Sequence, residues 1–389
     1  MSNQLNSKTP KTAQPNPARV YRWGGVCTAP LRFLRWTGYL KYRPISHKRF
    51  NTTPFITPKI FEGKPPHSVT TDKPWIVSQP INEVMGHLVI LENGIADCFG
   101  DVFDKNGRLI EGATHKYSEK HRYRRWHKRK HLIQQKSIFP DLEYFDKAVA
   151  ILTASTHNFY FHWLLDVLPR IGMLSELSQS VDLFYIQTKH QFQQETLRLL
   201  GIDRSSIVDA DEVPLMSAQK LVVPCYQVMN GRVFADWPLK YVRDKLLKKA
   251  KTSSSVSKRR IIVSRASASH RRLTNEAQIV DKLSKYNFEV VELAAIPFQE
   301  QIGLFKDAEA IVAPHGSGLA NLVFCTPGTK IIELFPATNV DLYYRLSSAL
   351  SLEYSYVKSR TGDPHRLSLD NYCIEWQDLE RTLYQANIQ

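Results

Sequence analysis

Residues 311–335 read IVAPHGSGLANLVFCTPGTKIIELF. The stretch opens with a short apolar run, 309–313, that suits a buried strand of a parallel sheet. The run stops at Pro314. His315-Gly316-Ser317-Gly318 follows, then an apolar segment, 319–324, that starts at Leu319 and is predicted as helix. Thr326-Pro327-Gly328 marks a turn, and 330–334 is a second buried strand carrying Glu333. Strand, glycine loop and helix start together make an anion site. Glycines let the backbone approach a phosphate, and the first N–H groups of the helix point at it. Glu333 stands at the carboxyl end of the next strand, where such sheets bind ligands. A carboxylate there suits the hydroxyl pair of a ribose or sugar. The same loop is also compatible with a plain tight turn, so the flanking chain has to decide.

Upstream, 260–264 (RIIVS) is another buried strand. It runs into Arg265, with Arg271 and Arg272 in the loop behind it and Asn275 and Glu276 opening a helix. Guanidinium groups at a strand's carboxyl end suit a diphosphate, because the planar fork matches phosphate oxygens. A solvated charge cluster is the plainer alternative. Residues 288–293 are the next strand, and Pro297 starts a helix that includes Glu300 and Gln301. The unit from 260 to the glycine loop is therefore βαβαβ.

The same alternation begins earlier. Residues 148–153 read as strand, 157–176 as helix, 181–187 as strand and 190–200 as helix, with short strands at 206–208 and 220–224 and a helix at 237–251. This order predicts parallel sheets flanked by helices. In the helix HNFYFHWLLDVLPRIGMLSE, His162 and Asp166 are four residues apart and share a face. A carboxylate one turn from an imidazole orients it and raises its basicity. His157 and Asn158 stand where helices are capped. Packing alone is the competing account of His162.

The remaining segments are less regular. Residues 1–18 are polar and predicted disordered. Residues 32–43 place Phe33, Trp36 and Leu40 among Arg32, Arg35, Lys41 and Arg43, compatible with a membrane-surface helix or with a helix packed on the protein itself. Prolines from Pro54 to Pro80 suggest an extended linker. From His87 the period becomes two, and Asn93-Gly94 and Asn106-Gly107 predict hairpin turns of a small β-meander. Asp97, Asp101 and Asp104 read as turn residues within it. Residues 115–136 combine four histidines and many Lys and Arg with Tyr117, Tyr123 and Trp126. A solvated or membrane-facing loop is the first reading, and nucleic acid an unfavoured one. A polar stretch at 252–258 separates the halves. The expected organisation is an N-terminal segment at 1–80, a first domain at 81–250 and a second at 259–389.

Composition narrows the function. The 389 residues carry a formal net charge of +15, which suggests an anionic partner. No apolar run is long enough to span a membrane, and the N-terminus lacks the apolar core of a signal peptide. Cys27, Cys98, Cys225, Cys325 and Cys373 are scattered, which argues against a disulfide framework and a cysteine-rich zinc site. Reduced thiols and a cytoplasmic location, with contact at the membrane's inner face through the basic segments, are expected.

The order NFYFHWLLDVLPR, then SR…RR.TNE, then EQ…LF..A..IVAPHGSGLANLVF..PG..IIELFP resembles glycosyltransferase family 61, over about residues 80 to 380. The resemblance implies a GT-B-like α/β architecture: two Rossmann-like domains facing a cleft, acceptor side first and nucleotide-sugar side second. It implies an inverting transferase of polysaccharide biosynthesis, of the bacterial capsular or exopolysaccharide type, that needs neither catalytic metal nor cofactor beyond its nucleotide-sugar donor, expected to be UDP-linked. The acceptor would be a glycan or lipid-linked saccharide. Carried over by motif, Arg265, Arg271, Asn275, Glu300, His315, Gly316, Ser317, Gly318, Leu319 and Glu333 fall on the donor side, and His162 and Asp166 on the catalytic side. Two departures stand out: three residues, not two, separate Asn158 from His162, and Ser317 replaces the alanine common in HGAG. A non-catalytic polyanion binder and a related transferase such as a pyruvyl transferase are the alternatives.

Overall fold

The computed structural model describes residues 21–22, 45–49, 51–54, 86–111, 113, 142–154, 157–225, 236–251, 258–337, 340–361 and 369–389. The polar start at 1–18, the basic-aromatic stretches at 32–43 and 115–136, and the linker positions 252–257 lie outside the described residues.

The first half builds one mixed sheet. Its strands are Tyr21–Arg22 (β1), Asn51–Pro54 (β3), His87–Asp97 (β4), Val102–Phe103 (β5), Glu143–Ile151 (β7), Leu183–Ile186 (β8), Ile207–Asp209 (β9) and Leu215–Cys225 (β10). Ile45–Ser46 (β2) pairs separately with Ile110–Glu111 (β6). The order is β3-β4-β10-β7-β8-β9, with β1 on β7 and β5 on β4. β10, β7, β8 and β9 are parallel, and β4 and β3 extend the sheet antiparallel. Helix α1 follows β7 as three consecutive runs: α-helical Tyr160–His162, π-helical Trp163–Val167 and α-helical Leu168–Glu176. Helix α2 is Gln191–Leu199 and α3 is Asp236–Leu246.

The second half is a five-stranded, all-parallel sheet. Its elements are Arg259–Val263 (β11), Glu276–Ser284 (α4), Phe288–Val291 (β12), Phe298–Lys306 (α5), Ala308–Pro314 (β13), the 3₁₀ helix Ser317–Phe324, Lys330–Phe335 (β14), Leu342–Ala349 (α6), Glu353–Lys358 (β15) and Trp376–Gln385 (α7). The order β12-β11-β13-β14-β15 reverses direction at β11. In open α/β sheets, ligands bind at that reversal, outside the carboxyl ends of the two strands. Here those ends lead into Arg265 and into His315-Gly316.

Both faces of this sheet are apolar because side chains alternate along each strand. Ile262, Val312 and Ile332 pack with Ile279, Leu283, Leu379 and Leu383 from α4 and α7. Ile261, Ile311 and Ile331 pack with Phe298 and Phe305 of α5, with Leu319 and Phe324, and with Trp163 and Leu164 of α1. This second cluster also takes in Leu239, Val242 and Leu246 of α3, so one core joins the two halves. Burying each large apolar side chain stabilises by roughly 1.5–3 kcal/mol.

Three expectations change. The meander at 87–111 is not a separate unit: His87–Asp97 is a single strand paired with β10 along its length. Asn93-Gly94 lies in its middle, where Asn93 takes a φ of 53° that asparagine tolerates. Asn106-Gly107 does turn the chain, and Asp97 and Asp104 accept backbone N–H groups of the residues that follow them, as turn aspartates do. The proline-rich segment also contributes an edge strand, Asn51–Pro54, at the margin where a proline is tolerated. Finally, the glycine loop leads into a 3₁₀ rather than an α-helix, eight residues long.

Candidate functional site

Helix α1 leaves the carboxyl end of β7 and carries the first cluster. Within it the Leu168 N–H donates to the Trp163 carbonyl, five residues back, and such π stretches concentrate at functional sites. His162 Nδ1 and Asp166 Oδ2 are hydrogen-bonded, as the four-residue spacing suggests. The Asp166 side chain is 2% exposed and that of His162 is 18% exposed. Arg170, a further turn along, is buried; burial lowers its pKa and Asp166 opposes that shift. The carboxylate thus sits between an imidazole that reaches the surface and a guanidinium that does not. Trp163, fully buried, donates from Nε1 to Thr196 Oγ1 at 2.8 Å and locks this helix onto α2.

The second cluster forms at the reversal in the parallel sheet. Glu276 accepts the Ser264 hydroxyl and the Arg265 backbone N–H and so fixes the turn after β11. The Arg265 guanidinium lies over Gly316, and a Cβ built there would land on it, so glycine leaves the guanidinium its place. Arg265 Nη2 donates to the His270 carbonyl at 2.9 Å. Arg271, held at a φ of 54°, donates its backbone N–H to Leu369 at 3.1 Å. Burial, and then the nearby charge of Arg271, push the Arg265 pKa down. The Nε of each arginine is buried with no hydrogen-bond partner among the described residues. Two guanidinium groups brought together with donors to spare form a site for an anion that accepts several hydrogen bonds.

His315 closes the same crevice. Its backbone N–H donates to Leu334 and its Nδ1 lies 2.5 Å from Glu333 Oε1. The Tyr354 hydroxyl donates to the other oxygen, Oε2, at 2.6 Å. Glu333 is fully buried. Burial and Glu333 raise the pKa values of Tyr343, Tyr354 and Tyr372, which keeps these phenols protonated. The His315 ring stacks on Phe335 at 5.2 Å and tilts against Tyr343 at 5.5 Å. Tyr343 in turn meets Phe161 edge-on at 5.8 Å, next to His162. A polar chain runs in parallel: the Tyr160 hydroxyl to Asn321 Oδ1 at 2.5 Å, then Asn321 Nδ2 to Gln301 Oε1 at 3.0 Å. The two clusters therefore belong to one site. It offers paired cations for an anionic leaving group and a carboxylate-held imidazole for a proton.

Residues 160–332 match the model of the Glycosyltransferase 61 family. Through this segment, a little under half of the chain, the protein is similar to glycosyltransferase family 61. No curated protein matches the chain. The matched segment opens at Tyr160, two residues before His162, and closes at Ile332, so it takes in His162, Asp166, Arg265, Arg271 and His315 and stops one residue short of Glu333.

The expected residues divide. Arg265, Arg271, His315 and Gly316 come together. Ser317 is half-buried at the start of the 3₁₀ helix, Gly318 passes close to Leu293, and Leu319 is core. Asn275 spends its side-chain amide on both backbone groups of Ile374, which ties the α4 start to the chain near the C-terminus. Glu300 is in the first turn of α5, but the residue of that helix bonded to the 3₁₀ helix is its neighbour Gln301. Arg272 is exposed and its backbone pairs with Asn371. Glu333 has both oxygens engaged by His315 and Tyr354, so it holds His315 and does not present itself to a ribose. Neither His157 nor Asn158 caps α1: His157 Nδ1 contacts the Ala154 carbonyl and Asn158 pairs with His190 at 3.1 Å.

Sequence reasoning missed Tyr160, Arg170, Gln301, Asn321 and the tyrosines around Glu333. Two had a local signal: Asn321 is the lone polar residue in an apolar run, and Arg170 a lone cation in an apolar helix. Among the described residues no group of three or more His, Cys, Asp and Glu is placed to hold a metal ion, and no helix is long and apolar enough to cross a membrane.

Proposed function

We propose that this chain is an inverting glycosyltransferase with a GT-B-like arrangement of its two sheets. It would move a sugar from a nucleotide-sugar, UDP-linked in our reading, to a glycan or lipid-linked saccharide acceptor in polysaccharide assembly. The observation that carries the reading is the connection of the His162–Asp166 pair to the Arg265–Arg271–His315 crevice through Phe161 and Tyr343. A protein that merely bound nucleotides or polyanions would have no use for an oriented imidazole beside its anion site.

The reaction assigns a role to each side. The acceptor hydroxyl gives its proton to His162, whose Nδ1 is occupied by Asp166 and whose Nε2 is free to take it. The acceptor oxygen bonds to the anomeric carbon from the face opposite the diphosphate. The bond from that carbon to the phosphate oxygen breaks, and its electron pair leaves with the diphosphate. Arg265 and Arg271 face the developing charge, in a crevice where fixed charges act strongly. Burial of Asp166 and partial exposure of His162 support His162 as the base and Asp166 as its orienting partner. In this reading the arginines do the work that a metal does elsewhere, and the enzyme works in the cytoplasm, meeting lipid-linked acceptors at the membrane.

The test is a panel of nucleotide-sugars given to the purified full-length protein, scored by release of free nucleoside diphosphate with and without chelator. Turnover that survives chelation is the expected result. Turnover lost on chelation and restored by manganese overturns the metal-free mechanism, and no turnover with any donor or acceptor overturns the enzyme assignment.

A further inference from the structure

We infer that Glu333 is a positioning residue that couples diphosphate binding at this site to a proton on His315. The inference rests on the donor-site reading above and adds a linkage which that reading does not contain.

The geometry around His315 leaves the ring one job. Nδ1 is committed to Glu333, 2.5 Å away, so Nε2 is the ring nitrogen left for a ligand. Phe335 and Tyr343 hold the ring from its sides, and the backbone N–H of His315 is fixed to Leu334. The imidazole cannot turn without losing the Glu333 bond and both ring contacts. Glu333 accepts on both oxygens, from His315 and from the Tyr354 hydroxyl, which is the pattern of an ionised carboxylate. It is fully buried, and a buried carboxylate needs a hydrogen-bonded partner. The other groups facing this pair are the phenols of Tyr343 and Tyr372 and the guanidinium groups of Arg265 and Arg271, each of which shares an electrostatic interaction with its neighbours there. Around Glu333 the phenols stay protonated, so His315 is the hydrogen-bonded group there whose second ring nitrogen can gain or lose a hydrogen.

An imidazole can donate to Glu333 and to a phosphate oxygen at once only with hydrogen on both nitrogens, which is its charged form. Binding a diphosphate in that mode completes a third cationic contact beside the two arginines. The complex is then favoured where the ring carries both hydrogens. Once rising pH takes the second hydrogen from the ring, the contact is lost and affinity falls.

Calorimetric titration of UDP into the full chain at several pH values tests this, using wild type, His315→Gln, Glu333→Gln, Tyr354→Phe and Arg265→Ala. The wild-type to His315→Gln affinity ratio at each pH cancels the titration of UDP itself. That ratio is expected to be about tenfold or more at acid pH, the scale of one charge-assisted hydrogen bond, and to fall toward one as pH rises. Glu333→Gln is expected to flatten the profile as His315→Gln does, while Tyr354→Phe, which leaves the His315–Glu333 bond in place, retains it. A ratio that does not change with pH overturns the inference. Arg265→Ala separates the layers: UDP affinity untouched by that change overturns the donor-site reading itself, whereas affinity lost there with a pH-independent His315→Gln ratio overturns only the linkage. Circular dichroism of each variant reports folding, and His315→Gln carries the test if Glu333→Gln does not fold.

Discussion

The hydroxyl of Tyr160 donates to Oδ1 of Asn321 at 2.5 Å, joining the helix that carries His162 to the 3₁₀ helix that follows the glycine loop. Asn321 is fully buried, and Tyr160 has its pKa raised by burial, so neither group has solvent to fall back on. Tyr160→Phe strands the amide oxygen of Asn321. The expected cost is about 1–3 kcal/mol, the penalty for a buried polar group without its partner. Urea denaturation measures it. On the proposed function turnover should fall as well, because the two clusters lose their polar link, and unchanged stability would show that the bond is not formed in solution.

Gly316 separates sterics from charge. Its φ of 174° is extended and open to any residue, so Gly316→Ala strains no backbone. The new methyl instead occupies the space of the Arg265 guanidinium. Gly316→Ala and Arg265→Ala should therefore weaken UDP binding to a similar extent, with the double variant no worse than either alone. Full additivity in that cycle would mean that the two residues act independently.

His162→Ala should lower turnover by roughly 10²–10⁴-fold, the usual contribution of a general base, with UDP affinity nearly intact. Asp166→Asn should cost less, since it removes orientation and leaves the imidazole. Steady-state turnover of both variants on one acceptor compares them directly; a larger loss in Asp166→Asn would move the base to Asp166.

Arg243 reaches from α3 to the end of the 3₁₀ helix. Its Nη1 donates to the Val323 carbonyl and, at 2.8 Å, to that of Cys325. Burial lowers its pKa, but the side chain keeps its carbonyl partners. Arg243→Met removes a charged donor from two carbonyls and should destabilise by about 1.5–3 kcal/mol. Thermal unfolding followed by circular dichroism gives the shift. A melting point equal to wild type would count against the contact.

Much of this was legible in the chain. The parallel strands of both sheets are marked by apolar runs and punctuated by Pro314, Gly201 and the Thr326-Pro327-Gly328 turn. The His162–Asp166 pairing followed from helical spacing, and the nearness of Arg265 to the glycine loop followed from two strand ends meeting at one sheet edge. What stayed hidden depends on contacts between distant segments. Tyr354 reaches Glu333 because β15 pairs with β14 so that Glu333 lies opposite Tyr356, which puts Tyr354 diagonally on the same face. No local pattern contains that register. Asn93-Gly94 misled because turn chemistry was weighed without the β10 partner that holds β4 straight. The π-helical run in α1 has no signature in WLLDV itself.

The common core also has a mechanical meaning. A hinge needs a plane that few side chains cross, and here Trp163, Leu239, Phe298 and Phe324 meet within a single apolar cluster. Opening the halves would expose that cluster, at roughly 1.5–3 kcal/mol for each large apolar side chain uncovered. Donor and acceptor must then enter and leave by local movements at the rim, and the overall dimensions should stay constant through a catalytic cycle. Small-angle scattering with and without UDP would register that constancy as superimposable profiles.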